Sequence, residues 1–317
     1  MKDYVKTPLN YTGNKFRLLE QIQPHFPKNI HIMVDLFCGG ATVGLNTECD
    51  EVYFIDNDPN VIGLLKFFNN QNFEDLLYSL EEIVKKYGLS NTYRHGMKYY
   101  KNKISDNNSN NGLKEYNKNG FYNLRHDYNN LTDKNTNEAF EMLYILLLYG
   151  FNNDLRFNAK GEFNLPIGKT DLNKTNVLKL KRYLDKEIKA HYIRAEFDSE
   201  QVRNILNVAD FIYMDPPYLI TNATYNESNR WNNLNEHRLL NLIDNFLESN
   251  KPFVLSNVLS KKNRMNEPLY YWTQKNKELI NIYHMQYSYS SSSYNKKVRE
   301  GHEDEIIVTW KGKNENK

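Results

Sequence analysis

A carboxylate, two prolines and a tyrosine make up the segment of this chain whose residue types best suit chemistry: Asp215, Pro216, Pro217 and Tyr218. They follow the apolar run 209–214, which predicts a buried strand that ends at Asp215. Open α/β sheets bind ligands outside the carboxyl ends of their strands, and prolines supply carbonyl acceptors without backbone donors. The segment therefore predicts a pocket that accepts hydrogen bonds and offers one ring for stacking.

An exocyclic amine on a flat heterocycle fits such a pocket. The lone pair of adenine N6 is delocalised into the ring, and accepting its N–H bonds on Asp215 and the Pro216 carbonyl would move the nitrogen towards sp3. Tyr218 can stack on a base that has left the duplex, as enzymes that act on bases require. The alternative is a structural Pro-Pro turn after a core strand. The short tetrapeptide therefore supports a base-binding site only together with a second site in the chain.

A glycine-rich turn upstream predicts that second site. The apolar run 31–37 reads as a strand, and 38–44 reads as a tight turn into a helix where backbone can approach a ligand closely. The next apolar run, 52–55, ends at Asp56, about 20 residues past the first strand, where doubly wound sheets place a ribose-binding carboxylate. The glycine spacing matches neither the dinucleotide fingerprint nor a Walker A loop. The alternative is a plain strand-to-helix connection.

These motifs together resemble those of the D12 class of adenine-specific DNA methyltransferases, the Dam-like enzymes. The matching residues are Asp215 to Tyr218, the turn Phe37-Cys-Gly-Gly40 and Asp56. Residues 9–15 resemble the family's N-terminal cofactor-binding segment, and residues 149–166 are similar to its DNA-contacting hairpin. Four motifs in the family's order cover both ends of the chain.

The N-terminal segment departs from the commonest family pattern at two positions. Tyr11 stands where many relatives carry Trp, and Asn14 stands where many carry a second Gly. Neither change removes the aromatic ring or the charge of Lys15, so the resemblance still extends to this segment.

The resemblance implies S-adenosylmethionine as the cofactor, and the spacing of the two cysteines predicts no metal. The cofactor-binding residues that it implies are Tyr11, Lys15, Phe37, Gly39, Asp56, Asp198 and Asp215. The catalytic residues that it implies are Asp215, Pro216, Pro217 and Tyr218. Asp198 has a structural alternative, because it precedes a helix expected to begin near Ser199 and could simply cap it.

The resemblance also implies double-stranded DNA as the partner, held by the hairpin near 150–168 through Asn153, Arg156, Asn158 and Lys160. Arg156 and Asn158 can hydrogen-bond base edges in the major groove. A basic run follows the hairpin and suits phosphate neutralisation: Lys169, Lys174, Lys179, Lys181, Arg182, Lys186 and Lys189. The alternatives are exposed polar groups on the hairpin and a solvated helix face.

The fold expected is α/β, a Rossmann-like S-adenosylmethionine-dependent methyltransferase sheet of about seven strands. Strands are predicted around 31–37, 51–56, 191–197, 209–214, 252–256, 279–283 and 305–309. The resemblance implies that the sheet is mostly parallel with one antiparallel strand. The stretch 65–189 is too long for a connection and predicts an inserted, mainly helical target-recognition domain, which leaves 1–64 and 190–317 as a discontinuous catalytic domain.

Composition limits the alternatives without deciding among them. The 317 residues can form one large or two smaller domains, and the formal net charge of +2 does not by itself indicate nucleic acid. Cys38 and Cys49 lack metal-ligand spacing. Lys2, Asp3 and Lys6 interrupt any early secretory signal, and the longest apolar run, 142–149, is too short to span a membrane. We expect a reduced, cytoplasmic protein with no membrane association.

The function expected is site-specific transfer of a methyl group to N6 of a flipped adenine. An N4-cytosine methyltransferase remains as an alternative, although such enzymes more often carry Ser in place of Asp215. A non-catalytic DNA-binding relative and an enzyme acting on RNA or glutamine amides are further alternatives. The recognised DNA sequence is not predicted, and a cognate restriction endonuclease is expected as a genetic rather than a physical partner.

Two segments have no motif assigned to them. The Ser-rich stretch 286–295 predicts either a loop that orders on DNA or an exposed linker. The Asn-rich stretch 91–137 matches no known motif.

Overall fold

A computed structural model describes residues 3–11, 13–101, 103, 111–220, 231–285 and 303–312. These residues divide into two compact units. The helical unit contains the chain up to Asn14 and Pro59–Glu187, and the sheet unit contains Lys15–Asp58 and the described residues from Ile188 onward. The compact units thus divide at 58/59 and 187/188, and the functional boundaries predicted at 64/65 and 189/190 stay a prediction.

The sheet unit is built on one sheet, whose strands among the described residues are β1 (Ile30–Leu36), β2 (Cys49–Asp56), β3 (Ala190–Arg194), β4 (Phe211–Met214), β5 (Phe253–Lys261), β6 (Arg264–Met265), β7 (Ile280–His284) and β8 (Glu303–Trp310). The strand order is β3-β2-β1-β4-β5-β8-β7, and β6 pairs with β5. Pairing is parallel from β3 through β5. Strand β8 runs antiparallel to both β5 and β7. The predicted methyltransferase-type sheet is therefore confirmed, and the short β6 is the strand that the sequence pattern does not predict.

The direction of β8 decides what its first residues can reach. The carboxyl ends of the parallel strands β1, β4 and β5 meet at one edge of the sheet. Because β8 is antiparallel, its beginning lies at that same edge, where Glu305 pairs with Val258 of β5. Side chains near the start of β8 can therefore take part in a site that follows β4.

The helices among the described residues are α1 (Leu19–Ile22), α2 (Thr42–Leu45), α3 (Pro59–Asn69), α4 (Phe73–Lys86), α5 (Thr92–Lys101), α6 (Lys114–Asn129), α7 (Asn137–Tyr149), α8 (Lys174–Leu184), α9 (Glu200–Val208), α10 (Asn233–Glu248) and α11 (Glu267–Lys275). Helices α3 to α8 belong to the helical unit, and the others belong to the sheet unit. No helix in the described part of the chain is long and apolar enough to cross a membrane.

The core of the sheet unit is formed where α9, α10 and α11 cover the central strands. All four residues of β4 are buried, as a parallel central strand requires. Leu239, Ile243 and Phe246 of α10 pack in the same cluster as Val34 and Ile212 of the sheet. The apolar spacing of α10 places these residues on one helical face, so the helix fixes the strands whose ends form the site.

The helical unit has its own core, centred on α7. Residues 142–149 of α7 are all buried, which explains the long apolar run in the sequence. The Thr136 hydroxyl caps the start of α7 by accepting from the amide of Ala139. Helices α3, α4 and α6 pack against it. The Asn-rich stretch 91–137 contains α5 and α6, so much of it is helical structure around this core.

A hairpin follows α7 in the helical unit. Antiparallel bridges join Gly150 to Ile167 and Phe157 to Phe163. Gly161 turns the chain at the tip with a φ of 72°, a conformation that favours glycine. The hairpin expected near 150–168 is therefore present.

Candidate active site

Asp215 lies directly after β4, where the sequence places it. Its backbone amide donates to the carbonyl of Leu36, at 3.4 Å, which ties it to the end of the neighbouring strand β1. The Pro216-Pro217 pair follows without backbone donors of its own. The carboxylate is therefore held at the carboxyl edge of the sheet.

Lys15, Asp215 and Tyr218 form one cluster inside the sheet unit. The Lys15 ammonium lies 2.7 Å from Asp215 Oδ2 and donates to the Tyr218 hydroxyl at 2.6 Å. The Tyr218 hydroxyl lies 3.0 Å from Asp215 Oδ1. Lys15 reaches this position because it stands just before a short 3-10 turn, Phe16–Leu18. The structure thus brings together a lysine and a tyrosine that the sequence assigned to different motifs.

Burial and charge act in opposite directions on Asp215. Burial raises the pKa of Asp215, and the nearby Lys15 charge and the hydrogen bonds from Lys15 and Tyr218 lower it. Burial also raises the pKa of the Tyr218 hydroxyl well above its usual value, so the phenol keeps its proton at neutral pH. The cluster therefore contains a carboxylate acceptor next to a protonated phenol and an ammonium group.

Glu305 is a member of this cluster that the sequence motifs missed. Its Oε1 lies 3.2 Å from the Tyr218 hydroxyl and 3.6 Å from the Lys15 ammonium, and its side chain is buried. No motif marks Glu305, which stands just before the apolar run of β8. The available signal was a charged residue at the start of the strand predicted around 305–309, but the direction of that strand, which places it at the edge where the parallel strands end, is seen only in the structure.

The glycine-rich turn after β1 is held by two carboxylates. Gly39 has a φ of 46°, and its amide donates to Asp56 Oδ2 at 3.0 Å. The Gly44 amide donates to Asp35 Oδ2 at 2.8 Å, and burial raises the pKa of Asp35 well above its usual value. Gly44 is required by packing, because a Cβ there would lie 2.5 Å from the ring of Phe54. The turn therefore joins β1, α2 and β2 tightly.

Asp56 ends β2 and lies at the same edge as the glycine-rich turn. Its Oδ1 accepts from the Asp58 amide at 3.0 Å, in addition to the bond from Gly39. Burial raises the pKa of Asp56 to about 6, and the backbone hydrogen bonds oppose that rise. A carboxylate with this placement can accept hydrogen bonds from ligand hydroxyls when it is ionised.

Phe37 contributes an aromatic surface beside the turn. Its φ of 64° is unusual for a bulky residue and turns the chain immediately after β1. The ring centroid lies 5.2 Å from that of Phe197 and 5.5 Å from that of Trp231. Trp231 is held by an Nε1 hydrogen bond to the buried Glu236. The three rings form an apolar wall within the sheet unit.

Two carboxylates follow β3, and they have different partners. Asp198 forms a bidentate ion pair with Arg238, at 2.6 and 2.8 Å, and Ser199 rather than Asp198 caps α9. Glu196, which the sequence reasoning did not single out, is exposed and accepts from the side chain of Asn57 at 3.2 Å. Asp198 thus already has an ionic partner, and Glu196 lies beside the residue that follows Asp56.

Tyr11 belongs to the helical unit, whereas the other proposed cofactor-binding residues belong to the sheet unit. Its backbone carbonyl accepts from the Asn14 amide at 3.2 Å. Asn10, one residue earlier, donates to the carbonyl of Asn152 at 2.7 Å, which ties this segment to the base of the hairpin within the helical unit.

The four hairpin residues assigned to DNA have contacts within the helical unit. The Asn153 side chain donates to the carbonyls of Leu147 and Leu148 at the end of α7. Arg156 donates to Asn164 across the hairpin, at 2.8 Å and 3.0 Å.

The hairpin tip has a distinct arrangement. The Asn158 side chain accepts from the amides of Lys160 and Glu162 and so shapes the turn. Lys160 itself is exposed at the tip. Phe151, which the sequence motifs did not single out, is 49% exposed at the hairpin base.

Two further expectations concern metals and the Ser-rich stretch. Within the described ranges no group of three or more His, Cys, Asp or Glu side chains could hold a metal ion. Cys38 and Cys49 are free thiols. The Ser-rich stretch 286–295 lies outside the described residues.

Comparison with known proteins identifies the family. Residues 11–291 match the model of the D12 class N6 adenine-specific DNA methyltransferases. The chain is 34% identical to the Type II methyltransferase M.FokI of Planomicrobium okeanokoites over 314 residues, which cover 96% of this chain and 43% of that protein. It is 33% identical to the modification methylase StsI of Streptococcus sanguinis over 324 residues, or 98% of this chain and 44% of the relative.

A shorter relative is aligned over most of its own length. The DNA adenine methylase of Escherichia coli strain K12 is 24% identical over 253 residues, which cover 78% of this chain and 79% of that enzyme. This chain spans less than half the length of M.FokI and StsI. The family model covers nearly the whole chain, including the glycine-rich turn, Asp56 and the Asp215 to Tyr218 segment, and so the chain belongs to the D12 class of N6 adenine-specific DNA methyltransferases.

Proposed function

We propose that this chain methylates N6 of adenine in double-stranded DNA and uses S-adenosylmethionine as the methyl donor. The observation that carries the proposal is the buried cluster of Asp215, Lys15 and Tyr218 at the carboxyl edge of the sheet. It offers a carboxylate acceptor, a charge that favours the ionised form, and an aromatic ring. These are the groups that a flat base with an exocyclic amine requires.

The residues of the sheet unit fit the proposed cofactor. Asp56 provides acceptors for ribose hydroxyls, and Gly39, with its positive φ of 46°, places backbone without a side chain beside that carboxylate. Phe37 provides an apolar surface for the cofactor's adenine, and Lys15 provides a positive charge for its carboxylate. When bound, S-adenosylmethionine supplies an electrophilic methyl group on a sulfonium centre.

Two further contacts to the cofactor are proposed. Tyr11 would contribute an aromatic surface. The cofactor's adenine amine is proposed to donate to one of the two carboxylates after β3: to Asp198, as the resemblance implies, or to Glu196, which is favoured because both oxygens of Asp198 are bound by Arg238. The two carboxylates differ in their present partners, which makes the choice between them testable.

Asp215 acts as a hydrogen-bond acceptor in this mechanism. It would accept one N6–H of the flipped adenine while the Pro216 carbonyl accepts the other, and both bonds localise the nitrogen lone pair. Lys15 favours the ionised form of Asp215, because its positive charge lowers the pKa that burial raises. The S–CH3 bond of the sulfonium would break as the N–C bond forms, N6 would become acidic, and Asp215 would take its proton. Tyr218 stacks on the base, and Pro217 fixes its approach.

The DNA partner is proposed to bind the helical unit at the hairpin. Arg156 and Lys160 carry charge there, and Asn153 and Asn158 shape the surface that presents them. The exposed Phe151 offers an apolar ring at the hairpin base. Two of the relatives are named modification methylases or Type II methyltransferases. By that likeness we propose a restriction-modification role, with a cognate endonuclease as a genetic partner.

The first experiment measures the product. The protein is incubated with S-adenosylmethionine and methyl-free genomic DNA, the DNA is digested to nucleosides, and methylated bases are identified by mass spectrometry. We expect N6-methyladenine from the wild type, none from Asp215→Ala, and wild-type amounts from Asp304→Asn, whose carboxylate pairs with His284 at the surface. Detection of N4-methylcytosine instead would show that the substrate base is cytosine and would contradict the proposed adenine. Activity retained by Asp215→Ala would contradict the role of Asp215.

A further inference from the structure

Glu305 is a buried carboxylate that contacts two members of the proposed active site, Tyr218 and Lys15. It comes from β8, far along the chain from Lys15 and separate from the segment of Asp215. Its Oε1 lies 3.2 Å from the Tyr218 hydroxyl and 3.6 Å from the Lys15 ammonium, and its side chain is 6% exposed. A carboxylate buried to this extent is retained at a cost in desolvation, so its placement calls for an explanation.

The hydrogen-bonding capacity of Tyr218 makes Glu305 and Asp215 competitors. The Tyr218 hydroxyl accepts from Lys15, which leaves its single proton for one acceptor. Asp215 Oδ1 at 3.0 Å and Glu305 Oε1 at 3.2 Å are both within reach. If the proton points at Asp215, that oxygen is occupied. If the proton points at Glu305, Asp215 Oδ1 can accept from another donor.

The charge of Lys15 is shared between the same two carboxylates. Its ammonium lies 2.7 Å from Asp215 Oδ2 and 3.6 Å from Glu305 Oε1. Glu305 comes from β8 and therefore gives the ammonium a second anionic partner outside the Asp215 to Tyr218 segment.

We propose that Glu305 is a positioning residue for the methyl transfer: it takes the Tyr218 hydrogen bond and part of the Lys15 charge, and thereby leaves an oxygen of Asp215 free to accept the target N6–H. The inference rests on the proposed function. Glu305 acts through Tyr218 and Lys15 and does not touch the base or the cofactor. Tyr218 remains a donor in this arrangement, because burial and the two carboxylates keep the pKa of its hydroxyl well above neutrality.

The test is a double-mutant cycle between Glu305 and Tyr218. Glu305→Gln keeps the size and one acceptor but removes the charge, and Glu305→Met removes both at similar length. We expect kcat to fall about 10- to 100-fold in Glu305→Met, the factor that corresponds to losing one hydrogen bond to a charged group. Glu305→Gln should retain more activity than Glu305→Met. The Kd for S-adenosylmethionine, measured by calorimetry, should stay within about 3-fold, well under the tenfold that one such bond would cost.

The coupling between the two positions separates positioning from general support of the fold. If Glu305 acts through the Tyr218 hydroxyl, then Tyr218→Phe and Glu305→Met together should lower kcat no further than the worse single variant. The same cycle in the free energy of unfolding, without cofactor or DNA, should show a favourable interaction between the two side chains. Asp304→Asn is the matched control, since adjacent residues of a strand face opposite sides of the sheet.

The outcomes distinguish this inference from the proposed function. A wild-type protein that forms no N6-methyladenine contradicts the proposed function itself. A wild-type protein that forms it, together with a folded and equally active Glu305→Met, contradicts the role of Glu305 alone. Additive losses in the kcat cycle would likewise overturn positioning through Tyr218.

Discussion

The Lys15 ammonium lies 2.7 Å from Asp215 Oδ2, and the two side chains are 5% and 19% exposed. This pairing opposes the effect of burial, which on its own would raise the pKa of Asp215 and favour the protonated acid. A protonated acid carries an O–H donor on one oxygen and is a weaker acceptor than a carboxylate. The lysine therefore favours the ionised form that the proposed mechanism uses as an acceptor.

Replacing Lys15 should move the pH dependence of the reaction. In Lys15→Met the pKa of Asp215 rises, so its ionised fraction falls and the acidic limb of the kcat profile shifts to higher pH. Unfolding should also become easier by about 3–5 kcal/mol, because a buried charge loses its partner. Lys275→Met is the control, since Lys275 is 70% exposed in its pair with Asp244, and neither the pH profile nor the free energy of unfolding should change by more than a surface pair contributes. An unchanged pH profile of kcat in Lys15→Met would contradict the proposed effect of Lys15 on the ionisation of Asp215.

Cofactor affinity should depend on the ionisation of Asp56, whose pKa is raised to about 6 by burial. Below that pH the protonated acid accepts ligand hydroxyls poorly, so we expect the Kd for S-adenosylmethionine to increase as the pH falls from 7 to 5. Asp56→Asn should bind weakly throughout and lose this dependence. Calorimetry across the range checks both. A wild-type Kd independent of pH would contradict the ribose assignment.

Stability should respond to the same group in the opposite direction. Because the folded-state pKa of Asp56 is raised, its favourable contribution to folding is present at low pH and is lost as the pH rises through about 6. The difference in free energy of unfolding between wild type and Asp56→Asn should therefore change with pH over this range. Denaturant titrations at several pH values measure it.

The two carboxylates after β3 can be told apart by substitution. Glu196 is exposed beside Asn57, whereas both oxygens of Asp198 are bound by Arg238. We expect Glu196→Gln to raise the Kd for S-adenosylmethionine about 10-fold, as loss of one hydrogen bond does. Asp198→Asn should mainly lower the free energy of unfolding. The reverse pattern would return the adenine-amine contact to Asp198.

Gly44 should tolerate no side chain. A Cβ at this position would lie 2.5 Å from the ring of Phe54 and 2.9 Å from Asp35 Oδ2. Gly44→Ala should therefore lower the free energy of unfolding by about 1–3 kcal/mol through overpacking. Phe54→Leu shortens the opposing side chain, so the double variant should lose less than the sum of the two single variants. Additive losses would show that the clash is relieved elsewhere.

Substitutions in the hairpin should separate sequence specificity from general affinity for DNA. Arg156→Ala should relax discrimination at one base position at a cost of about 1–3 kcal/mol, whereas Lys160→Ala should weaken binding to all sequences and lower the salt slope by about 1. Salt-dependent binding to target and non-target duplexes measures both. Asn158→Ala serves as the structural comparison, since its side chain holds the amides of Lys160 and Glu162. Equal effects of Arg156→Ala on every duplex would contradict base reading.

The sequence predicted the parts of the site that follow strands. Asp215 and Asp56 could be placed because each ends an apolar run, and parallel strands bring such ends to one edge. Glu305 could not be found in this way, because nothing local shows that β8 runs antiparallel and starts at that edge. The pairing of Asp198 with Arg238 could not be predicted either, because Arg238 lies on α10, where no sequence motif marks it.

The division of the chain into two compact units was harder to predict than the strands of the sheet. Helix α3 follows Asp56 directly and reads as the helix of a strand-helix-strand unit, yet it packs with α7 in the helical unit. Packing of this kind depends on which apolar faces meet, for example the rings of Phe67 and Phe140 at 5.6 Å. The periodicity of apolar residues shows that a helix has an apolar face, but it does not show which element packs against that face.

The wide separation of Lys15 and Glu305 along the chain has a consequence for biosynthesis. Lys15 leaves the ribosome well before Glu305, and β8 is inserted between β5 and β7 only once it has been synthesised. Contacts between residues so distant in sequence form slowly, because a long loop must close first. A nascent or prematurely released chain would therefore contain Asp215 and Lys15 without their third partner, and we expect methylation competence to arise only when translation has passed β8.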